Sequence, residues 1–169
     1  MSFAIGTLRE LFQHMEWADA EVWRAVSRFQ AADADARLRD LLLHMHNVQR
    51  AFVGLWTGTP VEREPAGLDS LDAIRGWAQP TYSNALRFFE TVELSTLEEP
   101  LVVPWIKWFE KRAGREAEKP SIDETAFQVT SHSTYHRGQI NARLKEIGAE
   151  PPNVDYIAWI WLGRPRAEW

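Results

Sequence analysis

Two histidines stand one helical turn apart, His132 and His136, and a third, His44, lies far upstream among apolar residues. Residues four apart on a helix project from the same face, so both imidazoles of the pair can reach one metal ion. Three neutral imidazoles that converge from two helices would hold a divalent ion and leave positions open for water or substrate. The sequence therefore predicts a metal centre made of His44, His132 and His136.

The chain has five histidines, so His14 and His46 remain outside this set. His46 is the competing ligand, but it lies about 200° around a helix from His44, and the two cannot easily serve one ion. We expect His44 to share an inward-facing stripe with Leu41 and Val48, and the downstream pair also to point toward the core. His14 either lines the pocket or has a surface or core role. The bare spacing is a weak signal, because a single inward histidine is more often a hydrogen-bonded core residue.

Composition narrows the class of protein. The 169 residues carry a formal net charge of −5 without a block of Lys or Arg, which argues against nucleic acid as a partner. No stretch approaches the roughly 20 apolar residues of a membrane span, and the first residues lack the features of a signal peptide. The chain contains no cysteine, so a metal must be held by nitrogen and oxygen, and a cytoplasmic location is expected. Nine tryptophans indicate large buried aromatic surfaces or an interface, and we expect a homodimer.

Apolar residues recur at spacings of three and four, which predicts four long amphipathic helices. The first runs from about Ser2 or Thr7 to Phe29, and the second follows a cap at Asp33 or Asp35 and ends at Gly58-Thr59-Pro60. A loop over Val61–Leu68 precedes the third helix, which follows a cap at Asp69 or Ser70 and runs to about Val92. Pro80 is expected to kink or break this helix near Gln79. The fourth opens with a capping box, Ser121 and Glu124, and ends near Gly148.

The segment from Glu98 to Pro120 is the least helical part of the sequence. Residues 101–103 and 105–109 favour extended structure, and either a short strand pair or an irregular crossover fits. A short apolar segment, Tyr156 to Leu162, is expected to pack at the end. The fold expected is all-α, a four-helix bundle in one domain over residues 1–169, with a long, partly irregular crossover before the last long helix.

Three segments together resemble one family. Residues 132–140 (HSTYHRGQI) resemble the C-terminal signature of the DinB-like metalloprotein superfamily, which includes YfiT-like proteins. Residues 43–52 (LHMHNVQRAF) resemble its first-ligand motif, and residues 11–19 (LFQHMEWAD) resemble its N-terminal opening. The matches occur in order and span nearly the whole chain.

The resemblance implies an up-down-down-up four-helix bundle, often dimeric, in which three histidines hold a divalent metal. By position these are His44, His132 and His136. Zinc is the first choice, with nickel, iron, manganese or cobalt as alternatives. Relatives with assigned activity use low-molecular-weight thiols, as S-transferases or isomerases. The resemblance therefore favours a metal-dependent thiol transferase, with a metal-dependent hydrolase or a non-catalytic stress-response protein as alternatives. The small-molecule substrate is not specified.

Two residues depart from the family pattern. Tyr135 stands where many members carry another histidine, and it either contacts the metal pocket or packs. Gln49 stands where the first-ligand motif usually has an acidic residue.

Four more residues near the predicted ligands have expected roles. Asp40 and Gln128, one turn before His44 and His132, either fix an imidazole tautomer or are solvated. Arg137 is expected to pair with an acidic residue and fix helix packing, and Gly138 to allow close approach of two helices.

Overall fold

The computed structural model describes residues 4–60 and 66–169. Its helices are α1 (Ile5–Arg28), a 3-10 turn (Gln30–Ala34), α2 (Ala36–Thr57), α3 (Leu71–Ala78), α4 (Pro80–Thr91), α5 (Leu94–Leu97), α6 (Ile106–Ala113), α7 (Ile122–Glu146) and α8 (Tyr156–Trp161). Within the described residues there is no strand, only an isolated bridge between Pro100 and Ser121. The all-α prediction is confirmed.

Side-chain caps mark the starts of α2, α3 and α7. The carboxylate of Asp35 accepts a backbone N–H at the start of α2, and the hydroxyl of Ser70 does the same for α3. The sequence offered two candidate caps for each helix, Asp33 or Asp35 and Asp69 or Ser70, and the second candidate is the cap in both cases. The capping box of Ser121 and Glu124 is present at the start of α7. Each cap satisfies a backbone donor that the first turn of a helix leaves without a partner.

The predicted interruptions also occur. Pro80 opens α4 directly after α3, and Gln79 joins the two helices, so the third predicted helix is broken where expected. Gly148 follows α7 with φ of +94°, a left-handed conformation that glycine adopts without strain. Its N–H donates to the Lys145 carbonyl, and the Ala149 N–H donates to the Leu144 carbonyl, which closes the end of the helix.

Contacts between helix ends give the directions within the bundle. Phe12, near the start of α1, packs against Phe89 near the end of α4 and against Trp56 near the end of α2. The Trp56 indole donates to Thr125, near the start of α7. Helix α7 packs against both α1 and α2, and so does α4. The order is therefore up-down-down-up, with α3 and α4 together as the third helix.

One prediction about the crossover is wrong. Residues 105–109 were expected to be extended, but Ile106–Ala113 forms α6. A local ion pair within the helix joins Lys107 and Glu110 at 2.8 Å, and Gly114 ends it in a left-handed conformation. These helical features outweigh a β-propensity that depends strongly on context. The crossover is thus irregular, with one short helix rather than a strand pair.

Two remaining expectations are met only in part. Trp159 of α8 is buried, but Trp161 and Leu162 are exposed, so the last apolar segment does not bury as a whole. A helix start at Ser2, and residues 61–65 of the predicted loop, lie outside the described residues. No helix of the two described ranges is long and apolar enough to cross a lipid bilayer.

A buried ion pair lies between α1 and α7. Arg137 donates to Asp19 at 2.9 Å, and both side chains are almost fully inaccessible to solvent. The other oxygen of Asp19 accepts from Tyr82 of α4 at 2.5 Å and from Gln49 of α2 at 2.8 Å. All four bundle helices therefore meet at one carboxylate, and the predicted acidic partner of Arg137 is Asp19.

The hydrogen bonds continue from Gln49 through the core. Its amide also donates to the Ser133 hydroxyl at 3.0 Å, and its carbonyl accepts from His46 Nδ1 at 2.8 Å. His46 Nε2 in turn accepts from the Trp23 indole at 2.9 Å. We call the set the polar network: Asp19, Trp23, His46, Gln49, Tyr82, Ser133 and Arg137. A network of this kind stabilises only when each member has its partner.

Replacing Arg137 with Met should lower the free energy of unfolding by about 3–5 kcal/mol, because Asp19 would keep a buried charge without its cation. The matched control is Arg37→Met, which removes an exposed pair with Glu146 and should cause a small fraction of that loss. Urea denaturation of both variants measures the difference. Equal losses of unfolding free energy in the two variants would show that the buried ion pair contributes no more to stability than the exposed one.

Candidate metal centre

The three predicted ligands converge at the outer seam between α2 and α7. One ring nitrogen from each of His44, His132 and His136 lies within 4.8 Å of the others. The Nε2 atoms of His132 and His136 are 3.1 Å apart. The ring of His44 lies 4.6 Å from that of His136 and 5.4 Å from that of His132, between centroids. We call this group the histidine cluster.

The expected inward orientation is wrong for His44 and holds only in part for His132 and His136, whose Nδ1 atoms are shielded from solvent. His44 is exposed, and His132 and His136 are only half-buried. At the same level of α7 the buried positions belong to Ser133 and Arg137. The inward face of α7 therefore includes polar residues, which the spacing of apolar residues does not identify. The cluster lies at the solvent edge of the bundle rather than in its core.

The environment favours neutral imidazoles, which is the form that binds metals. Burial, and then the neighbouring His136 and His44, lower the pKa of His132 to about 4. Burial and the proximity of His44 also lower the pKa of His136. Each imidazole disfavours a proton on the next because like charges repel. At neutral pH, His132 and His136 therefore offer lone pairs.

The donor set fits a divalent ion. Two nitrogens about 2.0–2.1 Å from one zinc ion at tetrahedral angles lie roughly 3.3 Å apart, close to the 3.1 Å between the two Nε2 atoms of α7. The Nδ1 atoms of His132 and His136 are shielded from solvent and have no hydrogen-bond partner. With Nε2 turned toward a shared ion, each Nδ1 would carry the proton. The cluster could hold a metal ion, and neutral ligands would leave its charge undiminished.

The other two histidines have structural roles. His46 is fully buried in the polar network, with both ring nitrogens in hydrogen bonds, so it is not available as a ligand. His14 is buried between α1 and α8, where its Nε2 donates to the Val154 carbonyl at 3.0 Å. Its ring packs near Trp17 and Trp159. Both have satisfied core positions, as most inward histidines do.

Residues around the cluster resolve the remaining expectations. Tyr135 is exposed and packs edge-on against His136, with ring centroids 5.1 Å apart. Gln128 is exposed and does not bond to His132, whose Nδ1 lacks a partner. The predicted close helix approach at Gly138 is wrong, because a Cβ there would meet no atom within 4 Å. No role for Gln139 was predicted from the sequence, although a residue three positions after His136 on a helix lies next to it.

A cavity of about 620 Å³ lies between α2 and the α3–α4 pair. Its described lining includes Asn47, one turn after His44 on α2, together with Arg50 and Trp77. The Arg50 guanidinium stacks on the Trp77 ring at 4.5 Å and donates to the Trp77 carbonyl at 2.8 Å. The volume is in the range of small-molecule sites.

The family assignment follows from a comparison with family models. The DinB family model matches residues 1–167. The chain belongs to the DinB family. Comparison with curated proteins and with solved structures gives no match. The up-down-down-up order agrees with the fold that the resemblance to this family implied, and the three histidines of its motifs lie together in the structure.

Gln49, the second departure from the DinB motif, has a clear role in this member. Its amide donates to Asp19 and to Ser133 at the same time. An acidic residue at this position would bring a second carboxylate to hydrogen-bond distance of Asp19, and one of the two would have to bind a proton. The amide therefore suits a core that already contains a carboxylate.

The stability of this DinB protein should fall as the pH drops below about 6.5. Burial lowers the pKa of His46, mainly by desolvating the charged ring. The unfolded chain then takes up a proton that the folded chain binds only at lower pH, so acid favours unfolding. Thermal denaturation between pH 7 and pH 5 measures the effect.

The His46→Gln variant is the control, because an amide can replace one ring contact without titrating. It should show a shallower decline of stability with pH than the wild type. Some decline would remain, since burial also lowers the pKa values of His14, His132 and His136. Identical slopes in the two proteins would contradict the assignment to His46.

Proposed function

We propose that His44, His132 and His136 bind one divalent ion, and that the protein is a metal-dependent transferase of low-molecular-weight thiols. The observation that carries this proposal is the position of the histidine cluster, with three imidazoles together at a solvent-facing edge of the bundle. Among the described residues no carboxylate joins the cluster. Three protein ligands leave room for one or two exogenous groups.

The choice of metal follows from the ligands. Imidazole suits zinc, and zinc is the first candidate, with nickel, iron, manganese and cobalt as alternatives. When bound, a divalent ion supplies Lewis acidity, which lowers the pKa of a thiol or water in contact with it. The three histidines would hold that ion at the solvent-facing edge of the bundle, where His44 is exposed.

The proposed reaction joins a thiol to an electrophile. The thiol sulfur forms a bond to an electrophilic carbon, the thiol proton passes to solvent, and the leaving group departs with the electrons of its broken bond. The chain has no cysteine, so the thiol must arrive as a cosubstrate. A cavity lined in part by Asn47, three residues after His44 on α2, has the volume of a small-molecule site, although its described lining includes none of the three histidines.

Hydrolysis has less support. It needs a general base near the attacking water, and within the described part of the chain the cluster contains histidines alone. A purely structural metal is normally enclosed by four protein ligands, whereas this cluster brings three and is open on the side of His44. Transfer chemistry with an incoming ligand therefore accounts best for the open side.

We also propose that the protein forms a homodimer. Large apolar side chains are exposed at and beside α8, among them Tyr156, Ile157, Trp161 and Leu162, and a second group lies on α6 with Trp108 and Phe109. Contiguous exposed apolar side chains commonly mark a contact surface. A second copy of the chain is the partner that a self-complementary surface fits.

Single replacement of His44, His132 or His136 by Ala should abolish stoichiometric binding of zinc, because two imidazoles hold an ion far less tightly than three. Elemental analysis of protein purified without an affinity tag or added metal, followed by titration of the apoprotein, measures the stoichiometry. The matched control is His46→Gln, two residues from His44, in which the amide keeps one of the buried hydrogen bonds of His46 and stoichiometric binding should be retained. Undiminished binding in the three Ala variants would refute the metal site.

Cobalt-substituted protein tests the chemistry. Addition of a low-molecular-weight thiol should produce a sulfur-to-cobalt charge-transfer band in the near ultraviolet, because a coordination position is open to the sulfur. The band should be absent in the His132→Ala variant loaded under the same conditions. A cobalt protein whose spectrum never changes with thiols would argue against thiol transfer while leaving metal binding intact.

A further inference from the structure

Two complementary polar groups lie unpaired beside the histidine cluster. Nδ1 of His136 and Oε1 of Gln139 are both shielded from solvent, and neither has a hydrogen-bond partner. Residues three apart on a helix are neighbours on its surface, so the two side chains are within reach of each other. An unpaired buried polar atom destabilises the folded chain. A hydrogen bond between these two atoms would satisfy both.

The orientation of the Gln139 amide is fixed from the other side. Its Nε2 donates to the hydroxyl of Tyr135 at 3.1 Å. The Tyr135 ring packs edge-on against His136, with the ring planes at 83°. Because the nitrogen end of the amide is held by Tyr135, the oxygen end is the one left to accept. Tyr135 thus lies next to a ligand ring and also holds the residue that follows it by one turn.

We propose that Gln139 is a positioning residue that accepts the Nδ1 proton of His136 and so presents Nε2 of His136 to the metal, with Tyr135 holding the amide. The inference rests on the proposed metal centre. A histidine that ligates through Nε2 carries its proton on Nδ1, and an acceptor there fixes both the tautomer and the ring orientation. Gln139 offers that acceptor on the same helix.

The two ligands of α7 differ in their neighbours. Gln139 lies three residues after His136, and its Oε1 has no other hydrogen-bond partner. His132 has an unpaired Nδ1 as well, but Gln128, the glutamine one turn before it, is exposed and makes no bond to it.

The test compares variants of the full-length protein by zinc affinity, measured by competition with a chromophoric chelator. Gln139→Leu replaces the acceptor with an apolar side chain that also favours helix. We expect zinc affinity to fall about 10–100-fold. Gln139→Glu restores an acceptor and should bind at least as tightly as the wild type. Tyr135→Phe, which frees the amide, should give a smaller loss in the same direction. Gln128→Leu is the matched control and should bind as the wild type does.

A second readout does not depend on affinity. In the zinc-loaded wild type, proton NMR should show a slowly exchanging imidazole N–H from His136 Nδ1, which disappears in Gln139→Leu while circular dichroism remains unchanged. Wild-type affinity in Gln139→Leu, or a loss that Gln139→Glu does not restore, would overturn the role of Gln139 and leave the metal centre standing. A wild-type protein that binds no divalent ion would overturn both.

Discussion

The buried ion pair between Asp19 and Arg137 is the interaction on which the rest of the structure depends. A charge in the core of a four-helix bundle must be paired and hydrogen-bonded. Asp19 achieves this with one partner from each of the other three helices. The pairing determines which face of α7 turns inward, because Arg137 and Ser133 must reach the centre.

The rotation of α7 in turn places the histidine pair. His132 and His136 each precede an inward residue by one position, and one residue is about 100° of helical rotation. With Ser133 and Arg137 inside, the two imidazoles are directed sideways, toward α2 and His44. The polar network also fixes the rotation of α2, because His46 and Gln49 are buried neighbours on the inward face of that helix. The geometry of the histidine cluster is therefore set by residues that do not belong to it.

Much of the fold could be predicted from the sequence, because helix periodicity, caps and turn residues are local signals. The break at Pro80 and the capping box at Ser121 follow from backbone chemistry alone. The identity of the three histidines came from spacing together with resemblance to the DinB-like motifs. Their degree of burial could not be predicted, because the inward positions of α2 and α7 include polar residues that apolar patterns ignore. The helix at residues 106–113 was missed for a related reason, since aromatic residues favour strands only where a sheet surrounds them.

The histidine cluster takes one residue from α2 and two from α7, and these lie far apart in the chain. An ion held there would act as a reversible cross-link that closes a loop of about 90 residues, and closing a long loop removes much of the entropy of the unfolded chain. The polar network joins the same two helices deeper in the core through Gln49 and Ser133. Helices α2 and α7 would then be joined twice, by the ion near the surface and by the Gln49–Ser133 hydrogen bond in the core. Loss of the ion would remove the outer link, and the inner hydrogen bond would still hold the two helices together.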